Sequence, residues 1–151
     1  MIYVATEDAI PFITQWRPAV IKNIVDGDTF DLDIDLGFES HIHSRVRLLH
    51  LAGLENRKLA VDAWETRGKE RVLGKAAAKR VEELMELNGG EILVATRMDP
   101  KKTKGKYGRW LTAVLLRRWD KQKIYRDDGA DLISLGDLLI FEGHAEEKKY
   151  R

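Results

Sequence analysis

DGDTFDLDIDLG, residues 26–37, is the stretch that decides the fold. After the DGDT turn, the even-numbered positions are apolar, and the odd-numbered positions between them are acidic. The apolar residues are Phe30, Leu32, Ile34 and Leu36, and the acidic ones are Asp31, Asp33 and Asp35. Strict alternation of this kind predicts a half-buried β-strand whose apolar residues point to a core. In the turn, Gly27 is free to take a positive φ. The following HIHSRVRLLHL, residues 41–51, is expected to pair back on this strand as a hairpin.

The rest of the chain adds two helices and two more strands. A helix is predicted from about residue 72 to 87, stopped by an Asn-Gly-Gly sequence, with an apolar face made of Leu73, Ala77, Val81, Leu84 and Met85. Strands are predicted at residues 91–96 and 110–116. A second helix is expected to begin at a Ser134 cap, with Asp137 at the capping-box position, and to end at Gly143.

Two segments show no clear periodicity. Residues 52–70 are predicted to form a loop with a short extended piece, RKLAVD, and the tail EEKKYR is predicted to be a solvated end. The order of the elements fits an α+β domain in which helices pack at one side of a small antiparallel barrel.

Composition limits the classes of protein to consider. The 151 residues are 44% hydrophobic and 34% charged, which suits a single globular domain over residues 1–151. The chain has no cysteine, so disulfides and thiolate metal sites are excluded. No apolar run approaches the roughly 20 residues of a membrane-spanning helix. The N-terminus lacks the pattern of a signal peptide, so a cytoplasmic location is expected, unless an export segment has been trimmed away. A net charge of +1 gives no general basic field, so nucleic acid would need a local basic patch.

Asp28 is the first residue with chemistry to assign. Its parity matches that of Phe30 and Leu32, so its carboxylate is expected to point toward the core at the start of the strand. A carboxylate in that position needs a cation, an arginine or backbone donors as partners. The functional interpretation is a metal ligand. The alternative is a turn aspartate that bonds the amides of its own loop, and DGDT alone favours that alternative.

Clustered charge marks two further segments. In RKLAVDAWETRGKERVLGKAAA, residues 57–78, the spacing of Arg57, Asp62 and Glu65 could gather a cation donor and two carboxylates at a strand end. The alternative is a solvated charged loop. In KTKGKYGRW, residues 102–110, four basic residues lie beside one tyrosine, which suits phosphate binding and base stacking. The alternative there is an exposed hairpin turn.

Together these motifs resemble those of one family. DGDTF, DAWETRGKER followed by GKAA, KYGRWL and LLIFEGHA come in the order found in staphylococcal nuclease-like (thermonuclease) proteins, closest to the short phage and bacterial members. The likeness covers about residues 21–145. It implies a five-stranded OB-like antiparallel β-barrel with packed helices. It also implies an active site in which two aspartates and a backbone carbonyl surround Ca²⁺, beside one glutamate and two arginines.

The resemblance assigns the metal site residue by residue. The metal aspartate of DGDT falls on Asp28, and the family's D-x-P-E motif falls on Asp62 and Glu65. Trp64 stands where the family has proline, and Ala63 would offer its carbonyl to the metal. Glu65 would then orient or deprotonate the attacking water.

The nucleotide-binding side of the site follows in the same way. The arginine of the YGR motif falls on Arg109, which would clamp the phosphate. Neighbouring nucleotides would be held by Lys104, Lys106 and Tyr107.

The first catalytic arginine has more than one possible register. The family places it five residues before the second aspartate, which gives Arg57, whereas the hairpin motif RVRLL gives Arg47, as if ten residues were inserted. Spacing favours Arg57 slightly. A third register takes Glu55 as the glutamate but puts Ala52 where a metal aspartate belongs, and it ranks last.

The resemblance implies a calcium-dependent endonuclease that hydrolyses phosphodiester bonds of DNA or RNA and releases 3′-phosphate products. We expect a monomer that uses one divalent ion and has no membrane partner. Two rival hypotheses remain: a non-catalytic module of the same fold that binds single-stranded nucleic acid or a protein partner, and a plain OB-type binding domain. The last would leave the DAWE and KYGR segments unexplained.

Overall fold

The computed structural model describes residues 4–5, 16–55, 59–64, 68–98, 110–117 and 132–149. Its strands are β1 (Val4–Ala5), β2 (Arg17–Asp26), β3 (Thr29–Gly37), β4 (Ser40–Leu49), β5 (Leu59–Ala63), β6 (Glu91–Met98), β7 (Trp110–Leu116), β8 (Leu132–Ser134) and β9 (Ala145–Lys149). Its α-helices are α1 (Leu51–Glu55), α2 (Arg71–Leu87) and α3 (Leu135–Phe141), and a 3-10 turn at Gly68–Glu70 leads into α2. None of the helices in these ranges is long and apolar enough to cross a membrane.

Five of the strands close into a barrel. The ring runs β2-β3-β4-β7-β6 and returns to β2, with helices packed around it, so the domain is α+β and compatible with an OB-like barrel. The expectation of a wholly antiparallel barrel is wrong, because β4 and β7 pair in parallel. An odd number of strands in a closed ring cannot alternate direction throughout, so at least one pair must be parallel.

The alternation in β3 is confirmed. Phe30, Leu32 and Ile34 are buried, and the aspartates between them are partly exposed on the outer face. There Asp31 accepts two hydrogen bonds from Arg45 of β4, at 2.8 and 3.1 Å. The predicted hairpin is also present, since β3 pairs antiparallel with β4 from Thr29–Arg47 to Gly37–Ser40.

Gly27 is needed for a different reason from the one expected. Its φ is not positive. The residues with positive φ lie instead in the turn between β3 and β4, at Gly37, Phe38 and Glu39. A Cβ on Gly27 would lie 3.0 Å from the Cβ of Ala77 and 3.1 Å from the Cβ of Ala63. Glycine therefore lets α2 and β5 approach the β2–β3 turn closely.

The long helix is confirmed with one change to its buried face. α2 occupies Arg71–Leu87 and buries Gly74 with Ala77, Val81, Leu84 and Met85, while Leu73 is 52% exposed. At about 100° per residue, Gly74 lies closer than Leu73 to the centre of the face defined by the other four. The predicted stop is present, with Gly89 and Gly90 at positive φ.

Two predictions about irregular segments hold only in part. The predicted loop at residues 52–70 contains most of α1, whereas the extended piece predicted at residues 57–62 is confirmed where β5, Leu59–Ala63, overlaps it. The tail predicted to be solvated is exposed at residues 146–148, but it also forms most of β9, which pairs antiparallel with β5 from Ala63–Ala145 to Leu59–Lys149. EEKK has no apolar periodicity of its own, so its strand conformation comes from pairing with β5. We call this two-stranded sheet, β5 with β9, the β5–β9 ribbon.

The short helix α3 begins and ends as predicted. The Ser134 hydroxyl accepts a hydrogen bond from the backbone N–H of Asp137 at 3.4 Å, and Gly143 has a φ of 81°. The Asp137 carboxylate accepts from the backbone N–H of Leu51 at 3.2 Å, which ties α3 to the start of α1.

Candidate functional site

Asp28 is buried at one end of the barrel, as its parity predicted. It is 6% exposed and lies in the turn between β2 and β3. Its Oδ2 accepts a hydrogen bond from the backbone N–H of Ala63 at 3.0 Å, and its Oδ1 accepts from the Thr29 hydroxyl at 3.0 Å. Its backbone carbonyl accepts from the N–H of Leu48 at 2.7 Å. The carboxylate is thus held from both sides, by its own hairpin and by β5.

Arg47 reaches the same point from β4. It lies opposite Thr29 in the β3–β4 ladder, next to Asp28. Its Nη2 is 3.0 Å from Asp62 Oδ1 and 3.9 Å from Asp28 Oδ2. One guanidinium nitrogen therefore lies within 4 Å of two carboxylates that are 34 positions apart in the chain. Among the residues that the structure describes, the buried Nε of Arg47 has no hydrogen-bond partner.

The charges of the site act on Asp28. Burial raises the pKa of its carboxyl above the ordinary value of 3.8, and the Asp62 carboxylate adds to that rise. The Ala63 N–H, the Arg47 guanidinium and the Thr29 hydroxyl oppose the rise by favouring the charged form, but they do not cancel it. The charged form of Asp28 is therefore incompletely compensated by its protein neighbours, and a further cation nearby would stabilise it.

The β5–β9 ribbon positions Asp62 and Ala63. Asp62 pairs with Glu146 across the ribbon, and Lys148 Nζ is 3.7 Å from Asp62 Oδ2. Trp64, which replaces the proline of the family motif, donates from its indole N–H to the carbonyl of Gly143 at 3.1 Å. This bond fixes the end of β5 to the turn before β9. Neither Lys148 nor the role of Trp64 has a signal in the sequence, because each depends on contacts about 80 positions away.

Four of the predicted site residues come together: Asp28, Arg47, Asp62 and Ala63. The other predicted residues lie outside the described part of the chain: Arg57, Glu65, Lys104, Lys106, Tyr107 and Arg109. Of the two registers for the first arginine, the one that uses Arg47 puts a guanidinium against both aspartates. The residues between Arg47 and Asp62 include α1, and they lead into β5. In the third register the metal aspartate would be Ala52, which is exposed on α1.

The donor set agrees in part with a hard divalent cation. Asp28 and Asp62 supply two carboxylates on either side of a positive charge, and Ca²⁺ takes carboxylate and carbonyl oxygens in a flexible arrangement of six to eight ligands. Across the described residues, no group of three or more histidine, cysteine, aspartate or glutamate side chains is placed to hold a metal. Two carboxylates alone would leave an ion to complete its shell with carbonyl or water oxygens.

No protein-family model matches the chain, and no curated protein matches it. The class of this protein is therefore described by its fold and by the residues of its site. It is an α+β domain with a closed five-stranded mixed barrel, and a compact group of two aspartates and one arginine lies at one end of that barrel.

Proposed function

We propose that this protein is a calcium-dependent nuclease of the staphylococcal nuclease type, which hydrolyses phosphodiester bonds of DNA or RNA. The observation that carries the proposal is the convergence of Asp28 and Asp62 on Arg47, whose Nη2 lies within 4 Å of a carboxylate oxygen of each at one end of the barrel. Residues from the β2–β3 turn, from β4 and from the β5–β9 ribbon meet there. The resemblance of the sequence motifs assigns Asp28 and Asp62 to one site, with Arg47 as the less favoured of two registers for the arginine.

In this proposal, Asp28 and Asp62 hold the divalent ion. When bound, the ion supplies Lewis-acid polarisation of a phosphate oxygen. Asp28 contributes a fixed ligand, because its carboxylate is buried and bonded by Ala63 and Thr29. Asp62 is 45% exposed at its side chain, so it faces the direction from which substrate arrives.

Arg47 binds the phosphate being cleaved. A guanidinium can donate two parallel hydrogen bonds to two phosphate oxygens, which a lysine cannot do. The unpartnered Nε of Arg47 supports this role, since a buried N–H without an acceptor gains from one that a substrate brings. Preorganised donors of this kind stabilise the extra negative charge of the transition state.

The remaining roles follow from the resemblance. Glu65 orients or deprotonates the attacking water, and Arg109 is the second phosphate clamp. Neighbouring nucleotides are bound by Lys104, Lys106 and Tyr107. Since the net charge is only +1, these basic residues provide the local attraction that the whole molecule lacks. Attack with loss of the 5′ oxygen gives 3′-phosphate ends.

The test is cleavage of single-stranded DNA and RNA with Ca²⁺ or with a chelator, using the wild type and three arginine variants. Cleavage should require Ca²⁺, and Arg47→Ala and Arg109→Ala should each lower turnover by about 10²–10³-fold. Arg45→Ala is the matched control, because Arg45 lies two positions from Arg47 on β4 but pairs with Asp31 on the outer face. Circular dichroism establishes that each variant is folded.

Three outcomes would contradict parts of this proposal. Normal cleavage by Arg47→Ala and Arg109→Ala would remove the assigned phosphate clamps. Retarded but intact nucleic acid in every condition would indicate the non-catalytic binding module instead. Products with 5′-phosphate ends would exclude the staphylococcal nuclease type of cleavage.

A further inference from the structure

The place between the two site carboxylates is taken by a side chain of the protein itself. Arg47 Nη2 lies 3.0 Å from Asp62 Oδ1 and 3.9 Å from Asp28 Oδ2. An ion that bound both carboxylates would lie about 2.3–2.6 Å from an oxygen of each. Arg47 and such an ion would therefore crowd the same oxygens, and their positive charges would repel each other.

We infer that Arg47 and the divalent cation compete for the Asp28–Asp62 carboxylate pair, so that binding of the cation releases Arg47 to bind phosphate. This inference rests on the proposed function and concerns how the site is regulated. In the absence of the cation, Arg47 partly compensates the charge of the two aspartates and is withheld from substrate.

The two halves of the Arg47 contact differ in strength. Asp28 is 9% exposed at its side chain and is fixed by two hydrogen bonds, so it stays in place in either state. The Arg47–Asp62 contact is more exposed, with side chains 25% and 45% accessible, and a solvated ion pair is weak enough to exchange. Release of Arg47 thus requires the loss of the exchangeable Asp62 contact and of the longer, 3.9 Å contact with Asp28, and the buried ligand does not have to move.

The Arg47 guanidinium does not use all of its hydrogen-bond donors in its present position. Nη2 makes the carboxylate contacts described above, and Nε is buried with no hydrogen-bond partner in the described residues. A phosphate offers several oxygens and can accept from two guanidinium nitrogens at once. Arg47 therefore gains hydrogen bonds when it exchanges Asp62 for a phosphate, and the cation takes over the compensation of both aspartates.

Lys148 provides a matched control for the effect of charge alone. Its Nζ lies 3.7 Å from Asp62 Oδ2, so Lys148→Gln removes one positive charge beside the same carboxylate. The ammonium of Lys148 contacts Asp62 from the β9 side of the ribbon. A difference between Arg47→Gln and Lys148→Gln therefore reports competition for the space between the carboxylates.

The experiment measures the Kd for Ca²⁺ by isothermal titration calorimetry, without nucleic acid, for the wild type and both variants. Competition predicts that Arg47→Gln tightens Ca²⁺ binding by about tenfold or more, and that Lys148→Gln tightens it by less than about threefold. Arg47→Met, which keeps an unbranched apolar stem, should behave like Arg47→Gln and replaces it if the glutamine variant fails to fold.

The possible results separate the inference from the proposed function. Equal tightening in Arg47→Gln and Lys148→Gln, or weaker binding in Arg47→Gln, overturns the competition while leaving a Ca²⁺-dependent nuclease intact. Absence of Ca²⁺ binding in the wild type and in Arg47→Gln alike overturns the metal-dependent function together with the competition.

Discussion

The imidazole Nε2 of His50 lies 2.7 Å from the carboxylate Oε2 of Glu147, although the two residues are 97 positions apart. His50 directly follows β4, the strand that carries Arg47, and Glu147 lies in β9, which pairs with the strand that carries Asp62. This contact therefore fastens the β5–β9 ribbon to the barrel beside the candidate site. His50 is 2% exposed, and its Nδ1 has no partner among the described residues.

Removal of Glu147 should destabilise the fold more than its exposure suggests. In Glu147→Ala the buried His50 would lose the only hydrogen bond that its ring makes in the described structure, and an unsatisfied buried polar group costs about 1–3 kcal/mol. We expect the free energy of unfolding in urea to fall by about that amount. Glu146→Ala is the control, since Glu146 is the exposed neighbour in the same strand. Equal losses in the two variants would show that the His50 contact contributes nothing.

Deletion of β9 should abolish the site as well as lower stability. β9 pairs with β5 at all five positions from Leu59 to Ala63, and β5 carries Asp62 and Ala63. A chain that ends at His144 should therefore melt at a lower temperature and lose Ca²⁺-dependent cleavage. A chain shortened only by residues 150 and 151 keeps β9 and should behave as the wild type. Full cleavage by the shorter chain would mean that β5 holds its position without its partner.

Asp28→Asn should change how stability depends on pH. Burial raises the pKa of the Asp28 carboxyl in the folded state above 3.8, so the folded state binds this proton more tightly than the unfolded state does. The resulting stabilisation is complete below pH 3.8 and is lost as the pH rises through the raised pKa. Asparagine keeps an acceptor for the Ala63 N–H and carries no charge. We therefore expect metal-free Asp28→Asn to melt above the wild type at pH 7, with the gap narrowing toward pH 4.

Calcium should reverse the order of the melting temperatures of the wild type and Asp28→Asn. A ligand that binds only the folded state raises its stability by mass action, and Asp28 is the buried ligand in the proposal. The melting temperature of the wild type should rise with Ca²⁺ concentration, and that of Asp28→Asn should not. Melting curves in chelator and in Ca²⁺, recorded from pH 4 to pH 8, measure both effects. A metal-free wild type that is the more stable protein at pH 7 would contradict the sign derived from burial.

Gly136→Ala should damage the fold more than Gly27→Ala. A Cβ at Gly136 would lie 2.5 Å from the carbonyl oxygen of Leu49 and 2.9 Å from the amide nitrogen of His50, and backbone atoms cannot move aside cheaply. A Cβ at Gly27 would lie 3.0 and 3.1 Å from the Cβ atoms of two alanines, so a backbone shift of a few tenths of an ångström would relieve it. Overpacking typically costs about 1–3 kcal/mol, and we expect Gly27→Ala near the lower end and Gly136→Ala at or above the upper end. Chemical denaturation compares them, and the reverse order would mean that α3 shifts more readily than α2.

The sequence by itself determined the elements whose signals are local. Alternation placed Phe30 and Leu32 inward in β3, and the same parity put Asp28 at the core side, where it needed an arginine or backbone donors. Both kinds of partner are present, in Arg47 and the N–H of Ala63. The extent of α2 and the cap and end of α3 also followed from nearby residues. These features can be predicted because side-chain periodicity and helix-cap hydrogen bonds involve residues only a few positions apart in the chain.

Only the tertiary structure decided which distant residues complete the site. Arg47 and Asp62 are 15 positions apart, and their contact depends on the path that the chain takes through α1 into β5. β9 has no strand signal of its own, and Gly27 is required by two methyl groups from other elements. The parallel pair β4–β7 follows from closure of a ring with an odd number of strands. Each of these features depends on strand pairing or close packing between segments far apart in the chain, and no local pattern of residues encodes that pairing.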